Sequence, residues 1–181
     1  VLDAQTRAVE MLRPGIAFRE VHLAAAARIA AGLVDLELMA GDPAEIVARG
    51  AHALFMPHGL GHMLGLDVHD MECLGEDRVG YTAEAPRSEQ FGLSALRLGR
   101  ELEAGFVVTV EPGIYFIPAL IEQWRGEKRF EAYIRYDNLD PYLDFGGVRI
   151  EDDLLITDTG GRMLGPHIPR TISEVEAACS S

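Results

Sequence analysis

Residues 56–70 read MPHGLGHMLGLDVHD, and this stretch decides how the rest of the chain is interpreted. It contains His58, His62 and His69, three of the six histidines of the protein. Histidine is the commonest metal ligand among side chains and titrates near neutral pH. The interleaved glycines let the backbone approach a ligand closely. Three histidines in a glycine-rich stretch therefore predict a functional site, with a metal ion as the first ligand to consider.

The alternative is an ordinary helix on which His58 and His62, four residues apart, share one face. Gly59 and Gly61 would each cost such a helix roughly 1 kcal/mol, so a loop or an irregular strand is expected instead. The stretch also lacks the HExxH pattern of zinc-protease helices, because Gly59 stands where the glutamate would be.

Helical patterns precede the histidine stretch. Apolar spacing predicts one helix over residues 2–12, ended by Pro14, and a longer alanine-rich helix over residues 18–38. Asp42 followed by Pro43 resembles an N-cap with proline at the first helical position, which predicts a short third helix. The apolar stripe of the second helix consists of Val21, Ala25, Ile29, Leu33 and Leu36.

Strand patterns follow the histidine stretch. Residues 106–110 (FVVTV) are β-branched and apolar and predict a buried strand, and residues 114–117 resume an extended pattern. Residues 148–157 (VRIEDDLLIT) predict a strand or a hairpin pair, followed by a turn at residues 158–161 (DTGG).

The remaining segments are less regular. Residues 72–94 are polar and predict an extended loop. Residues 119–142 combine mixed charge with aromatic side chains and predict a partly helical insertion that lies on the surface or over a site. Thr171 and Glu174 have the spacing of a capping box, which predicts a short C-terminal helix.

Composition narrows the function classes. The net charge of -13 argues against nucleic acid and against an acidic membrane surface as partners. The apolar run from Leu23 to Val34 is too short to span a bilayer, and the N-terminus lacks a signal-peptide pattern. Cys73 and Cys179 have no CxxC spacing, so a reducing cytoplasm is expected.

Two carboxylates lie in otherwise apolar strand context. Glu111 ends the FVVTV strand, and Glu151 lies in the middle of VRIEDDLL. A buried carboxylate must be paired, hydrogen-bonded or bound to a metal. An ion pair of Glu151 with Arg149, two residues away on the same strand face, is the structural alternative. With His62 the two glutamates form an oxygen-plus-imidazole set that suits Mn²⁺, Co²⁺ or Zn²⁺.

Three ordered blocks, HGLGHMLGLDVHD, TVEPGIYF and GGVRIEDDLLIT, resemble the signature blocks of the M24 metallopeptidases. The match is strongest to the prolidase (Xaa-Pro dipeptidase) branch, through MPHGLGH, the LRxxRxLxxG pattern at residues 96–105 and the ending PRTISEVEA. The resemblance implies an α+β fold, the C-terminal half of the pita-bread fold, in which helices cover a curved antiparallel sheet. Residues 1–181 would form that half, with an insertion at residues 118–145 and with the N-terminal domain and the first half of the catalytic domain absent.

The resemblance also implies a two-metal site. His62, Glu111 and Glu151 match three of the five family ligands, and two aspartates would come from upstream sequence. Mn²⁺ is the first expectation for the metal, with Zn²⁺ or Co²⁺ as alternatives. Asp67 and Asp70 are interpreted as structural residues or as residues that support the metal ligands from outside.

Four further residues match family positions near the substrate. His58 and His69 match histidines that line the site and contact substrate or intermediate. Arg97 matches an arginine implicated in binding the free carboxylate of a C-terminal proline, and Arg149 matches one near the substrate. Glu111, His58 and His69 are the expected catalytic residues.

The function implied is hydrolysis of the Xaa-Pro bond of dipeptides, with the upstream half of the same protein needed for full activity. The first alternative is an Xaa-Pro aminopeptidase that acts on longer peptides. The second is a pita-bread module that binds without catalysis. The resemblance further implies a small peptide substrate with proline in second position and a homodimer.

Overall fold

A computed structural model describes residues 1–180 of the chain as a mixture of helices and antiparallel strands. The α-helices are α1 (Leu2–Met11), α2 (Phe18–Asp35), α3 (Pro43–Arg49), α4 (Glu76–Gly80), α5 (Pro118–Gly126) and α6 (Ile172–Cys179). The strands are β1 (Val107–Val110), β2 (Gly113–Tyr115), β3 (Gly147–Arg149), β4 (Asp152–Thr157) and β5 (Gly160–Met163).

Helices α1 and α2 pack against each other through small side chains. Ala4 and Ala8 of α1 and Ala25 of α2 are almost completely buried, so the two backbones approach closely. Helix α1 also contacts β1 and β5. The predicted helix over residues 18–38 ends earlier, at Asp35, and Leu36 is 57% exposed rather than part of the buried stripe.

The strands form two small antiparallel sheets. One has the order β1-β4-β5, with Val108 opposite Leu154, and the other pairs β2 with β3, with Ile114 opposite Val148. The predicted hairpin over residues 148–157 is wrong, because its two strands belong to different sheets. The chain changes sheets between Arg149 and Asp152.

Several local predictions are confirmed. The side chain of Asp42 accepts hydrogen bonds from the backbone N–H groups of Ala44 and Glu45 and caps α3. Thr171 and Glu174 form a complete capping box at the start of α6. The turn expected at residues 158–161 is shorter, because β5 already begins at Gly160.

Two segment predictions need correction. Residues 72–94 are not a continuous extended loop, since they contain α4 and a 3₁₀ turn at Glu72–Leu74. Residues 119–142 are not confined to the surface. Trp124 is only 1% exposed, and Ile134 and Leu139 also join the hydrophobic core, because the apolar side of this segment faces inward.

Within residues 1–180, no helix combines the length and the apolar character needed to cross a membrane. Both cysteines, Cys73 and Cys179, are exposed and form no disulfide.

Candidate metal and substrate site

The histidine stretch lies along the edge of β1 with a single β-bridge, from Met63 to Val108, and contains no helix, which agrees with the predicted loop or irregular strand. The backbone N–H of Thr109 donates to the carbonyl of His62 at 3.0 Å, and that of Glu111 donates to the carbonyl of Leu60 at 2.7 Å. Gly61 lies so close to β1 that a Cβ there would overlap the carbonyl oxygen of Thr109. The glycine therefore permits the contact that brings His62 beside β1.

His62 and Glu111 form the centre of the site. Nε2 of His62 lies 3.3 Å from Oε1 of Glu111, and both side chains are largely buried. The hydroxyl of Thr109 donates to the same Oε1 at 2.9 Å and accepts from the backbone N–H of His62 at 3.0 Å. One threonine thus holds the glutamate and the histidine at a fixed separation.

The hydrogen bond of the second ring nitrogen, Nδ1, determines the tautomer of His62. Nδ1 lies 2.9 Å from the carbonyl oxygen of Met63, so it carries the proton and donates it there. A protonated ring therefore donates from Nε2 to Glu111, and loss of that proton leaves a lone pair on Nε2. This is the arrangement in which a carbonyl fixes the tautomer of a metal-ligating histidine.

The two groups shift each other's proton affinity. Burial alone would lower the pKa of His62, but hydrogen bonds to Glu111 and to the Met63 carbonyl raise it above its ordinary value. Burial alone would raise the pKa of Glu111, but hydrogen bonds from His62 and Thr109, with the charge of Arg149, lower it. The carboxylate is therefore held in its ionised form.

Arg149 pairs with Glu111 rather than with Glu151. Its Nη1 donates to Oε2 of Glu111 at 3.0 Å. The alternative considered for Glu151, an ion pair with Arg149, is not formed, because the chain turns out of β3 directly after Arg149. Arg149 thus pairs with a glutamate that directly follows β1.

Among the predicted site residues, Glu151 has the position that differs most from the prediction. It lies between β3 and β4 and is exposed, not in the middle of a buried strand. Partial burial and the negative charge of Glu111 raise the pKa of Glu151 above its ordinary value. Two carboxylates that repel each other in this way favour a cation between them.

The other two histidines line the same cavity as His62. Nδ1 of His58 is 2.7 Å from the carbonyl oxygen of Gly59, and its ring meets the ring of Tyr115 edge-on, with centroids 5.3 Å apart. The ring of His69 is perpendicular to that of His62, with centroids 4.4 Å apart. Burial lowers the pKa of His58, although the Gly59 carbonyl partly opposes this.

Arg97 approaches the site from the other side. Its Nη1 forms ion pairs with Glu72 and, at 3.3 Å, with Glu76. Nδ1 of His69 lies 3.9 Å from Oε2 of Glu72, so this glutamate connects the arginine with the histidine.

Six of the seven predicted site residues line one cavity of about 280 Å³. They are His58, His62, His69, Arg97, Glu111 and Arg149. Glu151 lines the adjacent, larger cavity of about 590 Å³, and Arg149 borders both. Within residues 1–180, no three His, Cys, Asp or Glu side chains are grouped closely enough to hold a metal ion.

Two contact residues of the site were not predicted. Thr109 is the one polar residue in the apolar strand β1, two positions before Glu111 and hence on the same strand face, which is a signal that the sequence contains. Tyr115 follows the EPG turn, and the ring contact with His58 depends on the pairing of β2 with β3, which no local pattern specifies.

The structure thus places a buried imidazole and a buried carboxylate in one cavity with further histidines and arginines, on an α+β scaffold. Residues 1–158 match the model of metallopeptidase family M24, and the chain belongs to this family.

Comparisons with individual proteins agree with this family membership. The chain is 38% identical over 177 residues to rat Xaa-Pro dipeptidase, covering 98% of this chain and 34% of that protein. It is 42% identical over 168 residues to a probable Xaa-Pro aminopeptidase of Verticillium alfalfae, covering 93% of this chain and 35% of that protein. The chain thus spans about a third of the length of the curated relatives that it matches.

Solved structures support the same fold. Proline aminopeptidase P II from Yersinia pestis matches with a TM-score of 0.71 and 34% identity, over 99% of this chain and 33% of that one. Aminopeptidase PepP from Pseudomonas aeruginosa matches with a TM-score of 0.69 and 32% identity, over the same shares of the two chains. The predicted α+β, pita-bread fold class is confirmed.

Proposed function

We propose that this chain is part of a metal-dependent peptidase that hydrolyses the Xaa-Pro bond of dipeptides and releases C-terminal proline. The observation that carries the proposal is the His62–Glu111 pair, with Nε2 facing the carboxylate at 3.3 Å in a cavity that His58, His69 and Arg97 also line. The rat, mouse and human relatives of this chain are named Xaa-Pro dipeptidases.

The donor set fits divalent ions. Nε2 of His62 and the carboxylates of Glu111 and Glu151 would hold them, since imidazole and carboxylate suit Mn²⁺ and equally Zn²⁺ or Co²⁺. The pKa of Glu151 is raised by burial and by the negative charge of Glu111, and a cation bound between the two carboxylates would relieve this repulsion. Two ions at such a site supply Lewis acidity, which makes water a stronger nucleophile near neutral pH.

The remaining residues would bind substrate and move protons. Glu111, held ionised by its neighbours, would accept the proton of the attacking water. His69 would donate a hydrogen bond to the oxyanion that forms at the scissile carbonyl, and the His58 ring would contact the proline side of the substrate. Arg97, with Arg149, would bind the free carboxylate of proline, for which a guanidinium provides paired donors.

Full activity would require two aspartate ligands from a preceding segment of the same protein, and the active species would be a homodimer in the cytoplasm. Residues 1–180 contain no cluster of three donors that closes around a metal ion. Three ligands from this chain would leave two ions incompletely coordinated.

Hydrolysis of Ala-Pro by the full-length protein tests the proposal. We expect release of proline with added Mn²⁺, and its loss in His62→Ala and Glu151→Gln. Glu84→Gln, a change in an exposed carboxylate outside the cavity, is the matched control. Undiminished turnover in either ligand variant would show that the assignment is wrong.

The second candidate is an Xaa-Pro aminopeptidase, favoured by the Verticillium relative and by the aminopeptidase P structures. A peptide such as Ala-Pro-Ala discriminates the two, because its proline has no free carboxylate for Arg97 to bind. We expect Ala-Pro to be the better substrate and Arg97→Met to reduce this preference. Faster cleavage of the tripeptide would establish the aminopeptidase.

The third hypothesis, a pita-bread module that binds without catalysis, is tested by measuring metal binding and turnover. Mn²⁺ titration of the 181-residue chain by calorimetry should show weak or partial binding that His62→Ala abolishes. Two tightly held ions in the isolated chain would contradict the need for further ligands. No turnover by the metal-loaded full-length protein would favour the binding module.

A further inference from the structure

Two histidines outside the site are completely enclosed by the core. His22 lies on α2 and is 0% exposed, and His52 lies in the 3₁₀ turn Ala51–Leu54 and is 1% exposed. Within residues 1–180, neither Nδ1 nor Nε2 of either ring reaches a hydrogen-bond partner. A pair of unpartnered polar rings in a core is unusual, since buried polar groups in native proteins are almost always hydrogen-bonded.

Both rings are neutral at physiological pH. Burial lowers the pKa of His22 to about 3 and that of His52 to about 4. Near His22 the other charged or titratable groups are His52, His58 and Arg19, and each lowers its pKa further. The carbonyl of Ile46 raises the pKa of His52 slightly but lies outside hydrogen-bond geometry.

A neutral imidazole carries one donor and one acceptor. The two rings therefore place two donors and two acceptors inside the core. A water molecule supplies both functions and is the usual partner of such groups, with about one buried water per 27 residues. A metal ion is a poorer fit, because within residues 1–180 no third His, Cys, Asp or Glu completes a cluster with them.

The pair connects with the candidate site through His58. His22 is close enough to His58 for the two rings to interact electrostatically. Nδ1 of His58 donates to the Gly59 carbonyl, which leaves Nε2 as an acceptor, and this Nε2 is buried without a protein partner. The hydroxyl of Tyr115, whose ring contacts His58, is buried and unpartnered as well.

We propose that His22 and His52 form a buried water-binding site behind His58, and that the bound water positions the His58 ring by donating to its Nε2. His22 and His52 are then positioning residues, which act on the cavity only through His58. The consequence for catalysis rests on the proposed function, but the water site and its effect on His58 do not.

Nuclear magnetic resonance of the ¹⁵N,¹³C-histidine-labelled 181-residue chain tests this without an activity assay. In the unaltered protein we expect cross-relaxation between long-lived water and the ring CH protons of His22 and His52. Because this measurement needs no variant, it does not depend on how a substitution folds. The absence of water contacts at both rings would overturn the proposal.

Variants test the positioning of His58. In His22→Leu and His52→Leu we expect the water contacts to be lost and the Nε2 resonance of His58 to shift, whereas His22→Gln and His52→Gln should retain both wholly or in part. An unchanged His58 resonance in a folded leucine variant would overturn the positioning role. A His58 resonance that moves in Tyr115→Phe but in none of the His22 or His52 variants would assign the effect to the tyrosine and also overturn it.

If the proposed function holds, the leucine variants of the full-length protein should lose kcat more than they change KM, because the His58 ring would stay in the cavity with its orientation less fixed. Inactivity of the unaltered protein would contradict the proposed function and leave the resonance experiment interpretable.

Discussion

The hydroxyl of Thr109 donates a 2.9 Å hydrogen bond to Oε1 of Glu111. The oxygen atom of this Thr109 hydroxyl also accepts a hydrogen bond from the backbone N–H of His62 at 3.0 Å. One side chain on β1 therefore sets the distance between the imidazole and the carboxylate that form the centre of the site. Since both contacts are buried, neither can be replaced by solvent without rearrangement.

Thr109→Val keeps the shape of this side chain and removes both hydrogen bonds. We expect a loss of about 1–3 kcal/mol in the free energy of unfolding, measured with urea, because a buried carboxylate oxygen and a buried N–H lose a partner. The pKa of Glu111 should also rise, since the Thr109 hydroxyl contributes to lowering it. Thr109→Ser, which retains the hydroxyl, is the control, and an equal loss in both variants would attribute the effect to packing.

Gly61 is predicted to tolerate no side chain. In Gly61→Ala the new methyl group would overlap the Thr109 carbonyl, so the histidine stretch would separate from β1. We expect a loss of about 3 kcal/mol or more in the free energy of unfolding, at the upper end of overpacking costs. Gly32→Ala is the matched control, because nothing lies within 4 Å of a Cβ there and the change should stabilise α2 by about 0.5–1 kcal/mol.

Acid should destabilise the protein through His22 and His52. In the unfolded chain both rings take up a proton near pH 6.5, whereas in the folded chain His22 stays neutral down to about pH 3 and His52 down to about pH 4. The unfolded state thus binds more protons, and stability falls as the pH decreases from about 6.5 toward those values. Each ring contributes a slope of up to about 1.4 kcal/mol per pH unit.

Urea unfolding at several pH values checks this expectation. His22→Gln cannot titrate, so its stability should fall less steeply between pH 6.5 and 4 than that of the unaltered protein. His167→Gln, a change in an exposed ring, should retain the steeper dependence. Parallel pH profiles for His22→Gln and the unaltered protein would contradict the prediction.

Trp124 tests whether the segment after β2 is part of the core. Its ring is 1% exposed and carries the guanidinium of Arg129 over its face, 4.4 Å from the centroid. Trp124→Ala should cost about 3–5 kcal/mol in the free energy of unfolding. Glu122→Ala, on the exposed side of α5, should cost less than about 0.5 kcal/mol. Similar small effects in both variants would mean that the segment is peripheral.

Local sequence signals predicted much of the framework. The cap of α3 at Asp42, the capping box of α6 and strand β1 each depend on residues within a few positions of one another, and all three are present. Local sequence patterns did not predict which segments are buried by tertiary contacts. Residues 119–142 combine mixed charge with aromatic side chains, yet Trp124 enters the core because α5 packs with one face inward.

The sequence by itself determined the chemistry of this protein: the histidines, the two glutamates and the glycines that let the histidine stretch approach β1. Tertiary structure alone decided the pairings. Arg149 binds Glu111 instead of Glu151, because β3 and β4 join different sheets and the chain turns between them. His22 lies within electrostatic reach of His52, because α2 packs on the 3₁₀ turn Ala51–Leu54. Such contacts depend on how separate elements fold together, and no local spacing encodes that.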